Sequence, residues 1–584
     1  MSQGNDTYFV DRSDFVIEEQ PNGGTDTVIA SVSYTLPANV EIIRLQGEGL
    51  TATGNAQNNR LYADPTHAST LIGGEGDDTY YLFNVGDRVI ESALYGSDAI
   101  VSTVSVALGD MRIERLTLVG DADIDGSGRA VVDRITGNAG SNVLSGFGGN
   151  DTLDGGAGVD TLIGGVGDDI YYVDDSRDRV VEAQGAREGR DIVYADTDYS
   201  LALTFVEELV LRGGSRIGRG NSQDNVITSG YGNDILIGGG GDDVLTGGSG
   251  NDTYYVDSAT DVIVEEETLR NGVDLAVATA TYDIAGTYVE NLTLADRPDG
   301  KFVYVVPNGY NFDGYGNSLN NIITGNHGDN VIDGRGGADQ MIGGSGDDTY
   351  FVDDASDRVI ENPRYDGQRL NYDTVYASVS FGAGSQDIEC IVLTGAGNIN
   401  ATGGLRDDLI EGNSGNNVLD GGGGVDTLIG GRGDDTYYVQ SHDTKVIEGQ
   451  GADGGNDLVY AVSNFSLAGT FVESLALLGS GDFIAKGNAQ NNTLVGNAGD
   501  NRLIGAGGAD IFRFNKDFGD DTVSDFGADD HLWFGAGTFA SSDDVLAHAS
   551  QSGADTVITL DEGNSITLRN VVLGSLQADD FLFG

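Results

Sequence analysis

Residues 137 to 172 divide without a gap into four nonamers: Gly-Asn-Ala-Gly-Ser-Asn-Val-Leu-Ser, Gly-Phe-Gly-Gly-Asn-Asp-Thr-Leu-Asp, Gly-Gly-Ala-Gly-Val-Asp-Thr-Leu-Ile and Gly-Gly-Val-Gly-Asp-Asp-Ile-Tyr-Tyr. The chemistry this spacing permits is oxygen ligation of a hard cation. Glycines at the first, second and fourth places allow positive φ and close backbone approach, so that successive carbonyls can converge on one point. Asp at the sixth place adds an anionic oxygen. Calcium takes about six to eight oxygens in flexible geometry, whereas magnesium demands a tight octahedron and dehydrates reluctantly, so a carbonyl-rich turn suits calcium. Softer chemistry has little to work with. The single Cys390 excludes a disulfide scaffold and a cysteine-based zinc site. His67, His327, His442, His531 and His548 are scattered, and none forms H-E-x-x-H.

The nine-residue phase recurs at 220 to 255, 316 to 351 and 403 to 438, with three nonamers at 487 to 513 and a broken set at 54 to 81. The pattern G-G-x-G-x-D-x-U-x, with U a large apolar residue, resembles the RTX (haemolysin-type) calcium-binding repeat family. That resemblance implies that each nonamer is a six-residue turn followed by a three-residue strand, and that two nonamers make one coil of a parallel β-roll. It further implies calcium ions between a turn and its neighbour two nonamers along. Carried over by position, the sixth-place ligands are Asp78, Asp151, Asp160, Asp169, Asp234, Asp243, Asp252, Asp339, Asp348, Asp408, Asp426, Asp435 and Asp510, and Asp6 fits a half-motif. The first- and fourth-place glycines of the same turns are Gly155, Gly158, Gly164, Gly167, Gly238, Gly241, Gly247, Gly250, Gly343, Gly346, Gly421, Gly424, Gly430 and Gly433. The sequence departs from the pattern at Asn59, Asn142, Asn225, Asn321, Asn330, Asn417, Asn492 and Asn501, where a neutral oxygen replaces a carboxylate. Those turns are expected to bind weakly or to be purely structural.

The elements that must position these turns follow from the same phase. The eighth places, Leu144, Leu153, Leu162 and Tyr171 in one block and Ile227, Leu236, Leu245 and Tyr254 in the next, are expected to point inward. One phrase, Gly-Asp/Asn-Asp-Thr/Ile-Tyr-Tyr/Phe, occurs at Gly4, Gly76, Gly167, Gly250, Gly346 and Gly433, and so defines six modules within residues 1 to 513. Each phrase is followed by D-x-V-x-E: Asp14 to Glu18, Asp87 to Glu91, Asp178 to Glu182, Asp261 to Glu265 and Asp357 to Glu361, with a slipped version at Asp443 to Glu448. A G-x-D then opens an alternating segment, such as Asp26 to Leu36, which reads as one long strand. The last phrase, V/I-E-x-L/I-x-L, puts Glu41, Glu114, Glu207, Glu290, Glu389 and Glu473 at one place in all six copies; an exposed strand face and a ligand or ion pair are both open for them. The fold expected is all-β: a parallel β-roll or β-solenoid of calcium-binding nonapeptides with a C-terminal β cap at residues 514 to 584. A solenoid end needs such a cap to cover its apolar edge. The closing residues, Leu576 to Gly584, resemble the uncleaved C-terminal signal of RTX proteins exported by type I secretion, and are few enough to be dispensable for folding.

The chain has 93 Asp+Glu against 30 Lys+Arg, a formal net charge of -63, which excludes nucleic acid as a partner and favours cations. No apolar run approaches the about 18 residues of a membrane helix. The start has neither the basic nor the apolar region of a cleaved secretory signal. There is no G-x-S-x-G elbow and no phosphate loop. On the order of ten to twenty calcium ions would follow from one ion per pair of stacked turns with about six oxygens each. These features point to a secreted, extracellular protein that meets a type I exporter and folds on calcium outside the cell. Its expected role is structural or adhesive, in a matrix, surface layer or adhesin, through self-association or cell-surface polysaccharide. An enzyme or polysaccharide-acting protein is the alternative, with catalytic groups in an intermodule segment such as the divergent stretch Ala295 to Asn311, or in the cap.

Overall fold

The structure, a computed structural model, describes residues 4–91, 96–182, 189–265, 272–296, 310–361, 371–449 and 454–584. Most of the divergent stretch 295–311 lies outside them. The chain forms two compact units, Met1–Ala278 with Thr287–Val289, and Thr279–Gly286 with Glu290–Gly584.

Each unit is a β-solenoid of short parallel strands. After the first two strands and up to the cap, successive strands belong to opposite sheets, so each pairs with the strand one full coil away. In the first unit a 15-stranded sheet runs from Thr7–Val10 to Val262–Val264. Facing it are shorter runs: four strands beginning at Tyr34–Thr35, five beginning at Val106–Ala107, and further strands from Tyr199–Ser200 onward. The second unit repeats the plan, with a nine-stranded sheet from Tyr282–Asp283 to Lys445–Ile447 and a ten-stranded sheet from Phe381–Gly382 to Phe581–Phe583.

The nine-residue phase is what sets the register. Leu144 pairs with Leu162 and Leu153 with Tyr171; in the next block Ile227 pairs with Leu245 and Leu236 with Tyr254. All eight side chains are fully buried, as expected of the U place. Each such aliphatic side chain contributes about 1.5–3 kcal/mol by leaving water, and stacked along the coils they form one continuous core per unit.

The segment Asp26 to Leu36 is not one strand. Thr27–Ala30 joins the large sheet, and Tyr34–Thr35 joins the sheet opposite. Val28, Ala30, Tyr34 and Leu36 are buried, but Val32 is only half-buried at the bend between them. The coil dictates this. Thr27–Ala30 must stay in register with Thr7–Val10 on one side and Ile42–Leu45 on the other, which leaves room for four residues before the chain turns.

The C-terminal region converts the parallel ladder into a closed end. Asn564–Leu568 adds in parallel to Asp520–Val523, and Asp555–Asp561 and then Ala549–Ser552 continue antiparallel. Phe514, Phe534 and Phe581 are buried together, with the Phe534 ring 5.9 Å from both Phe514 and Phe583. The closing residues form part of the sheet: Phe581–Phe583 pairs with His531–Phe534, and the Gly584 N–H donates to the Phe534 carbonyl at 3.1 Å. The short sequence hides this because the partner strand lies about fifty residues back.

Candidate metal centre

The sixth-place residues form hydrogen-bonded spines along the turns. In the 137–172 block the backbone N–H of Asp133 donates to Asp151 Oδ1 at 2.7 Å, that of Asp151 to Asp169 Oδ1 at 2.7 Å, and that of Asp169 to Asp191 Oδ1 at 2.8 Å. The spine ends where the Asp191 N–H donates to Glu207 Oε2 at 2.9 Å. On the other side, Asn142 donates to Asp160 Oδ1 at 2.7 Å and Asp160 to Asp178 Oδ1 at 2.9 Å. Equivalent links join Asn225 to Asp243, Asp234 to Asp252, Asn321 to Asp339, Asn330 to Asp348 and Asn417 to Asp435.

Each Asp thus spends one carboxylate oxygen on the preceding coil and keeps the other. Oδ2 of Asp78, Asp151, Asp160, Asp169, Asp234, Asp243, Asp252, Asp339, Asp348, Asp426 and Asp435 is buried with no hydrogen-bond partner. Asp408 differs, because its Oδ2 accepts the Gly404 N–H at 2.6 Å. All thirteen sixth-place Asp residues are buried, Asp510 at 2% and Asp408 at 4% exposure included. Asp6 is half-buried, and its N–H donates to Asp26 Oδ1 at 2.8 Å. Burial raises the Asp78, Asp151, Asp160, Asp243, Asp339 and Asp348 carboxyls to about 7, and those of Asp169, Asp426 and Asp435 to about 6. A buried unpaired carboxylate costs several kcal/mol, so these oxygens call for a cation or a proton.

The glycines divide their work. The fourth-place Gly158, Gly167, Gly241, Gly250, Gly346, Gly424 and Gly433 have φ between 108° and 143°, which only glycine adopts readily. The first-place Gly155, Gly164, Gly238, Gly247, Gly343, Gly421 and Gly430 have ordinary φ, but a methyl group on any of them would collide with the unpartnered Oδ2 of its own turn. The first-place glycine lets the carboxylate close over its own turn, and the donors gathered there are all hard oxygens, the type calcium prefers.

Asn turns are built differently. Asn142 Oδ1 accepts the Asn138 N–H at 2.8 Å, while its Nδ2 donates to the Ile124 carbonyl at 2.6 Å. Asn59, Asn225, Asn321, Asn330, Asn417, Asn492 and Asn501 repeat both bonds with their own neighbours. The amide closes the turn by itself, with no oxygen left over.

Several residues outside the nonamers belong to the same spines. The Glu at the V/I-E-x-L/I-x-L place has a definite role: Glu41, Glu114, Glu207, Glu389 and Glu473 accept the N–H of Asp26, Asp98, Asp191, Asp373 and Asp457 at 2.8–2.9 Å. Asp178, Asp261 and Asp357 of the D-x-V-x-E phrase continue the opposite spine. In the slipped sixth copy the Thr444 hydroxyl takes that place, accepting from the Asp426 N–H at 3.3 Å. Tyr80, Tyr171, Tyr254, Tyr350 and Tyr437 at the U place are core, as expected, while Tyr8 is half-buried; their hydroxyls donate to Glu91, Glu182, Glu265, Glu361 and Glu448, and that of Tyr8 to Glu19. In the first module the acceptor is Glu19 and not Glu18. The signal was in the sequence as a constant spacing of 11 residues between Tyr and Glu in all six copies.

Parallel coils closed by glycine turns, with a buried carboxylate in the Asp turns and an amide in the Asn turns, define a β-solenoid of the calcium-repeat kind. Comparison with known families agrees. The model of the RTX calcium-binding nonapeptide repeat matches residues 68–82, 127–162, 145–180, 219–254, 315–350, 402–437 and 485–516, so the chain carries RTX calcium-binding repeats along its length. Two glycanases of Rhizobium meliloti (strain 1021) are similar over short stretches. Endo-1,3-1,4-beta-glycanase ExsH is 39% identical over 74 residues, 13% of this chain and 16% of the relative. Endo-1,3-1,4-beta-glycanase EglC is 34% identical over 98 residues, 17% of this chain and 19% of the relative. The chain thus spans less than a fifth of either glycanase. The structure of the extracellular lipase LipA from Serratia marcescens aligns with 59% of this chain and 67% of its own at 13% identity and a TM-score of 0.19. Among the described residues no helix is long and apolar enough to cross a membrane.

Proposed function

We propose that the chain is a secreted protein that folds on extracellular calcium and serves a structural or adhesive role outside the cell. The observation that carries this reading is the row of buried, unpartnered Oδ2 atoms beneath first-place glycines. Asp78, Asp151, Asp160, Asp169, Asp234, Asp243, Asp252, Asp339, Asp348, Asp426 and Asp435 are the residues that would hold calcium, with Asp408 and Asp510 in the same places of their turns. In a compartment poor in calcium these carboxylates repel one another, which keeps the chain extended and suits passage through a type I exporter; calcium outside then folds the six modules. The acidic surface favours cation-bridged contact with other copies or with cell-surface polysaccharide.

The test is a calcium titration of chelated protein followed by circular dichroism. Millimolar calcium should restore a β spectrum and magnesium at equal concentration should do little; a spectrum indifferent to chelator at neutral pH sinks the reading. A polysaccharide-acting role has the short similarity to two glycanases in its favour, and release of reducing ends from a mixed-linkage β-glucan would support it.

A further inference from the structure

At the end of each module's last nonamer, carboxylates outside the calcium-repeat pattern close on the sixth-place Asp. Asp78, Glu91 and Asp98 each bring an oxygen within 4.8 Å of the others, and the same holds for Asp169, Glu182 and Asp191, for Asp252, Glu265 and Asp274, for Asp348, Glu361 and Asp373, and for Asp6, Glu19 and Asp26. Except for Asp6, every member is buried. The Tyr hydroxyl joins each group through its bond to the Glu.

Outside the first module, oxygens of each group crowd over the same first-place glycine. A methyl group on Gly164 would meet the Tyr171 hydroxyl, Asp169 Oδ2 and Glu182 Oε1 together; one on Gly430 would meet the Tyr437 hydroxyl, Asp435 Oδ2 and Glu448 Oε1. Gly73, Gly247 and Gly343 stand in the same relation to Tyr80 and Asp78, to Tyr254 and Asp252, and to Tyr350 and Asp348. Oδ2 of Asp78, Asp169, Asp252 and Asp348 has no hydrogen-bond partner, although these residues are 0–1% exposed. Three carboxylates, each with an oxygen within 4.8 Å of the others, and a hydroxyl bonded to the Glu make a hard, strongly anionic donor set, unlike a turn that offers one carboxylate and backbone carbonyls.

We propose that each Asp-Glu-Asp-Tyr cluster is a second class of calcium site, one per module, that fills at lower calcium than the turn sites. This rests on the calcium reading above. Ligand charge count tunes calcium affinity, so the three-carboxylate clusters take the ion first. They sit where the last nonamer passes into the spacer, and an ion there ties Tyr171 in the core to Glu182 and Asp191, which lie 11 and 20 residues further along. The cluster ions therefore pin the start of each spacer before the turns fill.

The experiment counts ions bound by the full chain in chelator-buffered calcium, by equilibrium dialysis. The variant carrying Glu91→Gln, Glu182→Gln, Glu265→Gln and Glu361→Gln should lose four ions from the tightest fraction and keep the weaker ones. An unchanged tight count would overturn the proposal while leaving calcium-driven folding intact; a wild-type chain that binds no calcium would overturn both. Where the fourfold variant does not fold, Glu182→Gln alone should lose one ion. Terbium supplies an independent reading, because a lanthanide beside a tyrosine hydroxyl emits by transfer from that ring: Tyr171→Phe should cut the first-filling emission by about a sixth, and no loss counts against the site.

Discussion

The backbone N–H of Asp151 donates to Oδ1 of Asp169 at 2.7 Å, one coil further along the chain, and Oδ2 of both residues stays buried without a partner. Two functions are thereby split between the oxygens of one side chain. Oδ1 fixes the stacking of successive turns, and Oδ2 is left as a buried oxygen with no partner. A turn that lost the carboxylate would lose both, whereas one that exchanged it for an amide would keep the stacking and lose the charge.

The pH dependence of the calcium-free chain follows from burial. Asp78, Asp151 and Asp160 sit near 7 in the folded chain, above the ~3.9 of an unfolded Asp. The folded chain therefore binds more protons between those values, and the stability these groups contribute is full below pH about 4 and lost as pH rises through about 7. The β signal of chelated protein should grow as pH falls from about 8 to about 5. With calcium present the direction reverses, since protons compete for the same oxygens and the calcium midpoint should rise as pH falls. A chelated spectrum that stays flat over that range would contradict the buried carboxylates.

Asp243 and Asn225 are adjacent in one spine, and substituting each should give a different signature. Asp243→Asn leaves an acceptor for the Asn225 N–H, now at 2.7 Å, but removes the charge, so the calcium concentration needed for folding should rise with little change at saturation. Asn225→Ala removes the bonds to the Asn221 N–H at 2.7 Å and the Val206 carbonyl at 3.0 Å, and should cost about 1–3 kcal/mol at any calcium concentration. Chemical denaturation at several fixed calcium levels separates the two; parallel shifts for both variants would show that the carboxylate has no special relation to calcium.

Gly164 has an ordinary φ, so its requirement is spatial. Gly164→Ala should cost about 1–3 kcal/mol by driving a methyl into Asp169, Tyr171 and Glu182. Gly507→Ala, where a Cβ meets nothing within 4 Å, should stay within about 0.5 kcal/mol. Thermal unfolding in calcium compares them, and equal midpoints would rule out the close approach.

The C-terminal closure makes a truncation test more severe than the residue count suggests. Removing Gln577 to Gly584 deletes the strand Phe581–Phe583 and uncovers Phe534, so the truncated chain should unfold at lower temperature even with calcium saturating. Phe534→Ala should cost about 3–5 kcal/mol. Retained wild-type stability after the truncation would mean that this strand is not part of the closure.

The nine-residue period in the sequence was enough to determine the parallel coils, the inward Leu144, Leu153 and Leu162, the turns that need glycine and the sixth-place Asp. All of these follow from one local rule repeated in phase, and a local rule is legible without long-range information. What only the tertiary structure decided lies where the phase breaks. Asp78 reaches Asp98 across 20 residues, Asp169 reaches Asp191 across 22 and Asp348 reaches Asp373 across 25, yet all three pairs stack alike. Spacers of unequal length cannot be registered by counting; the strands on either side register them, because Thr152–Asp154, Ile170–Val173 and Ile192–Ala195 must lie side by side in one sheet. That lateral pairing brings Glu182 beneath Tyr171, seats Glu207 on the Asp191 amide, bends the chain at Val32 and draws Phe581 back onto Phe534. Each depends on which strand is neighbour to which, and backbone hydrogen bonding between coils settles that only once the chain is folded.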